Sequence, residues 1–283
     1  MTQTLPALSA SADTLDNAAI MIMAHSRTDV LRRVIDALLA APSDDLKRFR
    51  VFVSLDQPNG GVEQLVQSYG ARLGGILKHY PQAGDGSPRF VHPLQNIAVH
   101  FKRALIDGFG HMKFSHIIFL EDDILPSPDF LALFRHAAPL LKADKTVWCV
   151  SAWNDNGLRG LVDSTSSLQL GNLRRTGYFP GLGWMTTAEV WRDIASKWPS
   201  APTTGWDHWM RVGGVSRGRD CIVPEINRVA HIGGDSGTNV HDPGNHIYGR
   251  FPPAAQTARF TPLEKLMNVS SCLHLVILYC TRI

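Results

Sequence analysis

Three consecutive carboxylates, Glu121-Asp122-Asp123, follow the apolar run His116-Ile117-Ile118-Phe119-Leu120 and are the residues of this chain best suited to chemistry. Like charges set so close raise one another's pKa unless something cationic compensates them. A divalent metal is the simplest compensation. Hard oxygen ligands suit Mg2+ or Mn2+, and an ion held by few protein groups can complete its shell with diphosphate oxygens. The plainer reading of the same residues is a solvated acidic turn or a helix start, with Asp129 available as the cap. A second candidate is Trp206-Asp207-His208-Trp209-Met210, one carboxylate between two tryptophans. Flanking aromatics supply the desolvation that raises basicity and the flat apolar walls on which sugar faces stack. Such a carboxylate can take the proton from an attacking hydroxyl; a helix cap is again the plainer reading.

Gly233-Gly234-Asp235-Ser236-Gly237 contains the Gly-Asp-Ser-Gly string found around the nucleophile of trypsin-like proteases, but that chemistry needs an all-β double barrel and a placed His and Asp. A flexible glycine-rich loop closing over a phosphate or sugar suits this chain better. His241 and His246 lie outside any H-E-x-x-H pattern and read as loop histidines. Neither a G-x-x-x-x-G-K-[ST] nor a G-x-G-x-x-G string occurs, which removes the usual sequence support for a P-loop enzyme or a dinucleotide dehydrogenase. Cys149, Cys221, Cys272 and Cys280 lack C-x-x-C spacing, so a structural zinc site is not expected. Cys149 and Cys221 fall in apolar runs, where two buried thiols and a disulfide are both open readings.

The elements that must position these groups alternate. Ala19–Ala24 reads as a strand, followed by a helical pattern through Val30, Leu31, Val34, Ile35, Leu38 and Leu39. Arg50–Leu55 is a second strand and ends in the turn cluster Asp56-Gln57-Pro58-Asn59-Gly60-Gly61. A helix near Asn96–Phe109 leads into the strand His116–Leu120, then the acidic triplet, a helix over Asp129–Leu141 and a fourth apolar segment, Thr146–Ala152. This alternation predicts an α/β fold with a mostly parallel sheet and helices on both faces. Ligands of such sheets bind beyond the carboxyl ends of the strands, where Arg27, Asp56 and Glu121-Asp122-Asp123 all fall, so one crevice can hold them. Trp153–His231 is rich in Trp, Gly and Pro, without clean periodicity, and is expected to supply loops on the acceptor side.

With 283 residues, 44% hydrophobic and 19% charged, the chain is long and apolar enough for one large α/β domain. Its net charge of +3 is scattered, which points to no nucleic-acid partner and is compatible with an anionic small ligand. Met1–Asn17 has neither a basic start nor a long apolar run, and no run of 18 apolar residues exists, so no signal peptide or membrane-spanning segment is expected in this chain.

The blocks Trp148-Cys149-Val150-Ser151-Ala152-Trp153-Asn154-Asp155-Asn156-Gly157, Phe179-Pro180-Gly181-Leu182-Gly183-Trp184, Trp206-Asp207-His208-Trp209-Met210-Arg211 and Pro224-Glu225-Ile226-Asn227-Arg228 closely resemble the N-acetylglucosaminyltransferase I family, glycosyltransferase family 13, in order and spacing. The resemblance runs over about Ala18–Tyr248. It implies a GT-A fold enzyme that moves GlcNAc from UDP-GlcNAc to the 2-hydroxyl of an α-linked mannose on a glycoprotein glycan, with inversion and with Mn2+. Carried over residue by residue, it makes Asp123 the direct metal ligand, with Glu121 and Asp122 touching the ribose or the sugar, and Asp207 the catalytic base. Arg27 matches an arginine on the nucleotide phosphate, Asp56 an acid that recognises uracil, and His100 a nucleotide-contacting histidine. Gly237, Thr238 and Asn239 fall in a loop that orders over the UDP-sugar.

The same resemblance implies a Cys149–Cys221 disulfide. A second family disulfide is missing as a pair, because His25 and Gln57 stand where the family has cysteines. His208 replaces a second acid after the base. Family members carry an N-terminal anchor and stem and a longer C-terminal subdomain; this sequence shows no anchor and leaves the family pattern after about Leu263. The expected organisation is a disordered segment over 1–17, a catalytic domain over 18–262 and an atypical tail over 263–283. The family works in the Golgi lumen; with no leader visible in this chain, a soluble cytoplasmic protein is the alternative, and the sequon Asn268-Val269-Ser270 is usable only in a secretory compartment. The functional alternative is a noncatalytic or truncated relative that binds a nucleotide sugar or glycan.

Overall fold

The computed structural model describes residues 15, 17–80, 90–200, 202–233 and 247–267. Its elements, in chain order, are β1 (Ala18–Ala24), α1 (Thr28–Leu39), α2 (Ser43–Arg48), β2 (Phe49–Leu55), α3 (Gly60–Ser68), β3 (Gly75–Lys78), α4 (Pro93–Leu105), β4 (His116–Glu121), β5 (Ile124–Pro126), α5 (Phe130–Ala143), β6 (Val147–Ser151), α6 (Ser167–Leu170), β7 (Leu173–Thr176), β8 (Trp184–Thr187), α7 (Ala188–Ile194), α8 (Trp206–Val212), β9 (Asp220–Pro224) and β10 (Val229–His231).

Eight strands form one sheet in the order β3-β2-β1-β4-β8-β6-β9-β7. The β3–β2, β2–β1, β1–β4 and β6–β9 pairs are parallel, while β8 runs against both its neighbours and β7 against β9. This is the mostly parallel α/β arrangement expected of a GT-A type fold. Strand β1 explains why the sheet needs helices on both sides. Its even positions, Ala18, Ile20, Ile22 and Ala24, pack with Leu31, Val34 and Ile35 of α1 and with α5, whereas Ala19, Met21 and Met23 pack with Ala98, Phe101 and Leu105 of α4. A strand buried on both faces reads as a continuous apolar run, which is what Ala-Ile-Met-Ile-Met-Ala is.

Beyond β4 the chain turns out of the sheet. Strand β5 pairs antiparallel with β10, so the acidic triplet is tied to the far end of the sequence: Ile232 N–H donates to the Asp123 carbonyl at 2.8 Å. The junction is braced from below by Arg228 and Asp129, both wholly buried, with Nε 3.0 Å from Oδ1. Asp129 is therefore not the cap that the sequence suggested. It occupies the N-cap position of α5 without a side-chain capping bond, and its carboxylate also receives Ala258 N–H at 3.1 Å. Leu15 near the start of the chain, and Leu263 and Leu266 near its end, are buried in the same apolar cluster as α1 and α5.

Cys149 and Cys221 face each other across the parallel pair β6–β9 and are joined by a disulfide. Both are fully buried. The bridge closes a loop of 72 residues that contains β8, α8 and Asp207. Replacing both cysteines by alanine is expected to lower unfolding stability by about 2–4 kcal/mol, measured as a drop in the urea midpoint. An unchanged midpoint would show that the bridge adds nothing to the folded state.

Candidate active site

The acidic triplet closes β4, beside the end of β1. Asp122 and Asp123 turn inward and are 3% and 6% exposed, so they do not form a solvated turn. Asp122 is held by its N–H on the Met23 carbonyl and by the His25 N–H on its Oδ2 at 3.3 Å. Arg27, just past β1, reaches both aspartates: its Nη2 pairs with Asp122 and lies 2.9 Å from Asp123 Oδ2. One guanidinium does not balance three carboxylates. Loss of water, then the neighbouring charges of Asp123, Asp122 and Asp207, push Glu121 up to about 8. Burial also raises Asp122, against the pull of Arg27.

The donor set fits a hard divalent cation accompanied by an anionic ligand. The carboxylates are in excess, and Arg27 Nη1 is buried with no partner among the described residues. Beside them the chain passes as Gly233, where a Cβ would collide with Asp123 Oδ2 and lie 3.0 Å from Arg27 Nη1, so the backbone packs directly on both side chains and only glycine fits. Among the described residues no three His, Cys, Asp or Glu side chains converge as a metal cage. A hard divalent ion held by few protein groups completes its shell with oxygens of its ligand.

Asp207 stands in the first turn of α8, which is anchored by its neighbour. Trp206 is buried against Phe101 at 4.2 Å and stacked between Trp184 at 5.6 Å and Trp198 at 6.0 Å, ring centre to ring centre. The turn into the helix needs Gly205: its φ is +89°, and a Cβ there would lie 2.7 Å from Asp207 Oδ1. Asp207 does not cap the helix. Its Oδ2 receives Arg211 Nη1 at 2.7 Å, and Arg211 is itself fixed by Nε donating to the Phe179 carbonyl at 3.1 Å and by lying over the Tyr178 ring. Asp207 keeps 38% side-chain exposure, enough to meet an incoming hydroxyl.

Asp56 follows β2, beside the end of β1, and accepts from His25 Nδ1 at 2.7 Å, while Gln57 Nε2 lies 3.0 Å from the other nitrogen of that ring. His100, on α4, is within electrostatic range of both Asp56 and His25. Tyr248 lies between the acidic triplet and Asp207: it stacks on His231 at 4.2 Å and feels the charges of Glu121, Asp123, Asp155 and Asp207, which with burial raise its phenol pKa.

Residues 3–241 match the GNT-I family model. The chain belongs to the GNT-I family. It is 34% identical over 218 residues to the alpha-1,3-mannosyl-glycoprotein 2-beta-N-acetylglucosaminyltransferase of Arabidopsis thaliana, a match that takes in 76% of this chain and 47% of that protein. The chain thus spans about half the length of that curated relative. Solved structures with a similar course include the mannosyltransferase PcManGT from Pyrobaculum calidifontis in complex with GDP-Man and Mn2+, at 16% identity and a TM-score of 0.45 over 74% of this chain and 54% of that one. S. aureus TarS 1–349 follows at 13% identity and 0.47 over 75% and 59%. Neither likeness says anything of what this chain binds.

The motif blocks by which the GNT-I family was legible hold one another in place. Asn154 N–H donates to Asn227 Oδ1 at 2.6 Å and Asn154 Nδ2 to the Glu225 carbonyl at 2.9 Å, so the loop after β6 is locked onto the link between β9 and β10. Of the nucleotide and metal residues expected from GNT-I family resemblance, Arg27, Asp122 and Asp123 are in direct contact, and Glu121 and Asp207 lie within electrostatic range of each other. Asp56 and His100 form a separate group beyond His25. Gly237, Thr238 and Asn239, with His241, His246 and Asn268, lie outside the described residues. The hydrolase reading of the Gly-Asp-Ser-Gly string fails on the fold, which is α/β.

Three neighbours of the site escaped the sequence. His231 Nε2 is 3.4 Å from Asp123 Oδ2, Arg211 holds Asp207, and Asp155, raised by burial, accepts from Trp153 Nε1 at 3.3 Å. A charge four residues after Asp207 on a helix was the available signal for Arg211.

Two buried histidines make the fold acid-sensitive. Burial pushes His100 down to about 3, and burial with the Lys142 charge pushes His116 down to about 4. Both take up protons near pH 6.5 when unfolded. Below that pH the unfolded chain binds protons that the folded chain refuses, so stability is complete above about pH 6.5 and falls as pH drops toward 4. Each such histidine removes at most about 1.4 kcal/mol per pH unit. Urea midpoints should fall between pH 7.5 and 5, and His116→Gln should flatten that slope; an identical slope would clear His116 of any part.

Proposed function

We propose that this chain transfers GlcNAc from UDP-GlcNAc to the 2-hydroxyl of an α-linked mannose on a glycoprotein glycan, forming a β-1,2 linkage with inversion and using Mn2+. The observation that carries the reading is the pairing of an over-charged acidic cluster at the end of β4 with a half-exposed carboxylate, Asp207, within electrostatic range of it. Asp123 would hold the ion, whose charge would offset that of the diphosphate. Arg27 supports the same end, since its buried, unpartnered Nη1 suits a phosphate oxygen. Glu121 and Asp122 would receive hydroxyls of the ribose or the sugar, and Asp56 with His100 would hold the uracil end.

In the transfer the acceptor O–H gives its proton to Asp207 while its oxygen bonds to the anomeric carbon. The bond from that carbon to the diphosphate oxygen breaks, and UDP leaves with the electron pair. Arg211 keeps the Asp207 carboxylate oriented, and Tyr178 keeps Arg211 in place. The buried disulfide favours an oxidising lumen such as the Golgi as the place of work.

The deciding experiment presents UDP-GlcNAc, UDP-Gal and UDP-Glc with Mn2+, Mg2+ or chelator to a mannose-terminated N-glycan and an O-mannosyl peptide. Transfer of GlcNAc alone, lost with chelator, is the expected result. Tight UDP-GlcNAc binding without transfer or hydrolysis would replace the enzyme by a binding protein.

A further inference from the structure

A hydrogen-bonded line runs beneath the nucleoside end of the crevice. Asp107 lies in the single π-helical turn Ile106–His111 that follows α4. That turn packs tightly on the sheet, since a Cβ on Gly108 would collide with the Ile117 side chain. Asp107 Oδ1 is 2.7 Å from His111 Nδ1, and its Oδ2 is 3.1 Å from His79 Nε2. His79 Nδ1 is 2.6 Å from Ser54 Oγ, and Ser54 Oγ is 2.6 Å from His100 Nε2. Arg103 donates to the His79 carbonyl at 2.9 Å, which fixes the middle of the line. Ser54, His79 and Asp107 have the composition of a hydrolase triad, but Ser54 is fully buried between two imidazoles and meets no substrate.

Counting protons along the line leaves one arrangement. Burial raises the Asp107 carboxyl, but the bonds from His111 and His79 outweigh it and hold Asp107 below its ordinary value, so it is ionised and only accepts. Burial lowers both His79 and His100, so each ring is neutral and carries one N–H. His79 must then place its proton on Nε2, toward Asp107, and its bare Nδ1 accepts the only proton of Ser54. With that proton committed, Ser54 Oγ can only accept from His100. His100 therefore carries its proton on Nε2.

We propose that Asp107, His79 and Ser54 are positioning residues that hold His100 in the Nε2–H form, so that its Nδ1 presents a bare lone pair to a hydrogen-bond donor of the bound nucleoside. No hydrogen bond among the described residues uses that nitrogen. The functional half of the inference rests on the donor reading above; the proton assignment does not. The ligand group facing Nδ1 is a hydrogen-bond donor such as a ribose hydroxyl, and not a carbonyl or phosphate oxygen; the single imide N–H of uracil is left to the Asp56 carboxylate. Neutral imidazole, with a donor on one side and an acceptor on the other, is suited to carrying such a choice across a ring.

The test reads the proton directly. Nitrogen-15 spectra of the ligand-free protein, assigned by difference against His100→Gln, should show His100 with protonated Nε2 and bare Nδ1. In Ser54→Ala and Asp107→Asn an Nδ1–H population should appear. Asp107 is partly exposed, so its variant should fold even where the buried Ser54→Ala does not. Calorimetry with UDP and Mn2+ should then give a Kd about five- to tenfold higher in both variants, the effect of one weakened hydrogen bond. An Nδ1–H ring in the unaltered protein overturns the assignment, and an unchanged tautomer in both variants overturns the relay. A shifted tautomer with an unchanged Kd overturns the link to the nucleoside. Should the unaltered protein bind no UDP, the donor reading fails and the spectra still judge the relay.

Discussion

Asp207→Asn is expected to abolish transfer while leaving UDP-GlcNAc binding within about twofold of the unaltered protein. General-base contributions are typically about 10^2–10^4-fold, and the amide removes the base while keeping the size of the side chain. The surroundings favour a clean result. The amide oxygen of the variant can still accept from Arg211, and Trp206, the anchor of the helix, is untouched. Single-turnover rates with donor saturating, set beside the donor Kd from calorimetry, separate the two effects. Turnover equal to that of the unaltered protein would remove Asp207 from the chemistry. Arg211→Ala should give a smaller loss in kcat, because it frees the carboxylate to turn without removing it.

Asp123→Ala is expected to abolish metal-dependent nucleotide binding without weakening the fold. The usual penalty for deleting a buried charge is the orphaning of its partner. Here Arg27 keeps Asp122, and Glu121 loses Asp123, the carboxylate that repels it most strongly. Thermal unfolding of the ligand-free variant should therefore match or exceed that of the unaltered protein. In contrast, Mn2+ with UDP at a hundred times its Kd should stabilise the unaltered protein by about 2.7 kcal/mol and leave the variant unmoved. A variant still stabilised by Mn2+ and UDP together would place the ion elsewhere.

The parallel half of the sheet was legible because β1, β2 and β4 are central strands with apolar residues on both faces, each followed by a polar turn. The acidic triplet was legible for the same reason, being the first charge after one of those runs. The second half was not. Strands β7, β8 and β10 are three or four residues long, and β8 is buried at every position, so neither length nor alternation marks it. Asp129 shows why local rules misled. Capping is decided by nearest neighbours in sequence, whereas its partner Arg228 arrives from 99 residues away. The relay under His100 was invisible for a similar reason: its members come from β2, the end of β3, α4 and the turn that follows, and only sheet order brings them into line. The Cys149–Cys221 bridge came from resemblance alone, since two cysteines in apolar runs read first as buried thiols.

His25 and Gln57 sit at the tips of β1 and β2, side by side in the sheet, and clasp them through the imidazole that also steadies Asp56. A sulfur clasp at that spot would open and close with the thiol balance around it; this one is blind to reductants. It is also ambidextrous. When His25 is neutral its Nε2 accepts from the Gln57 amide nitrogen, and when His25 gains a proton the amide can turn over and offer its oxygen instead. The tips of β1 and β2 are thus held by a clasp that tolerates either charge on its own histidine, leaving the Cys149–Cys221 bridge, on the opposite half of the sheet, as the redox-sensitive link among the described residues.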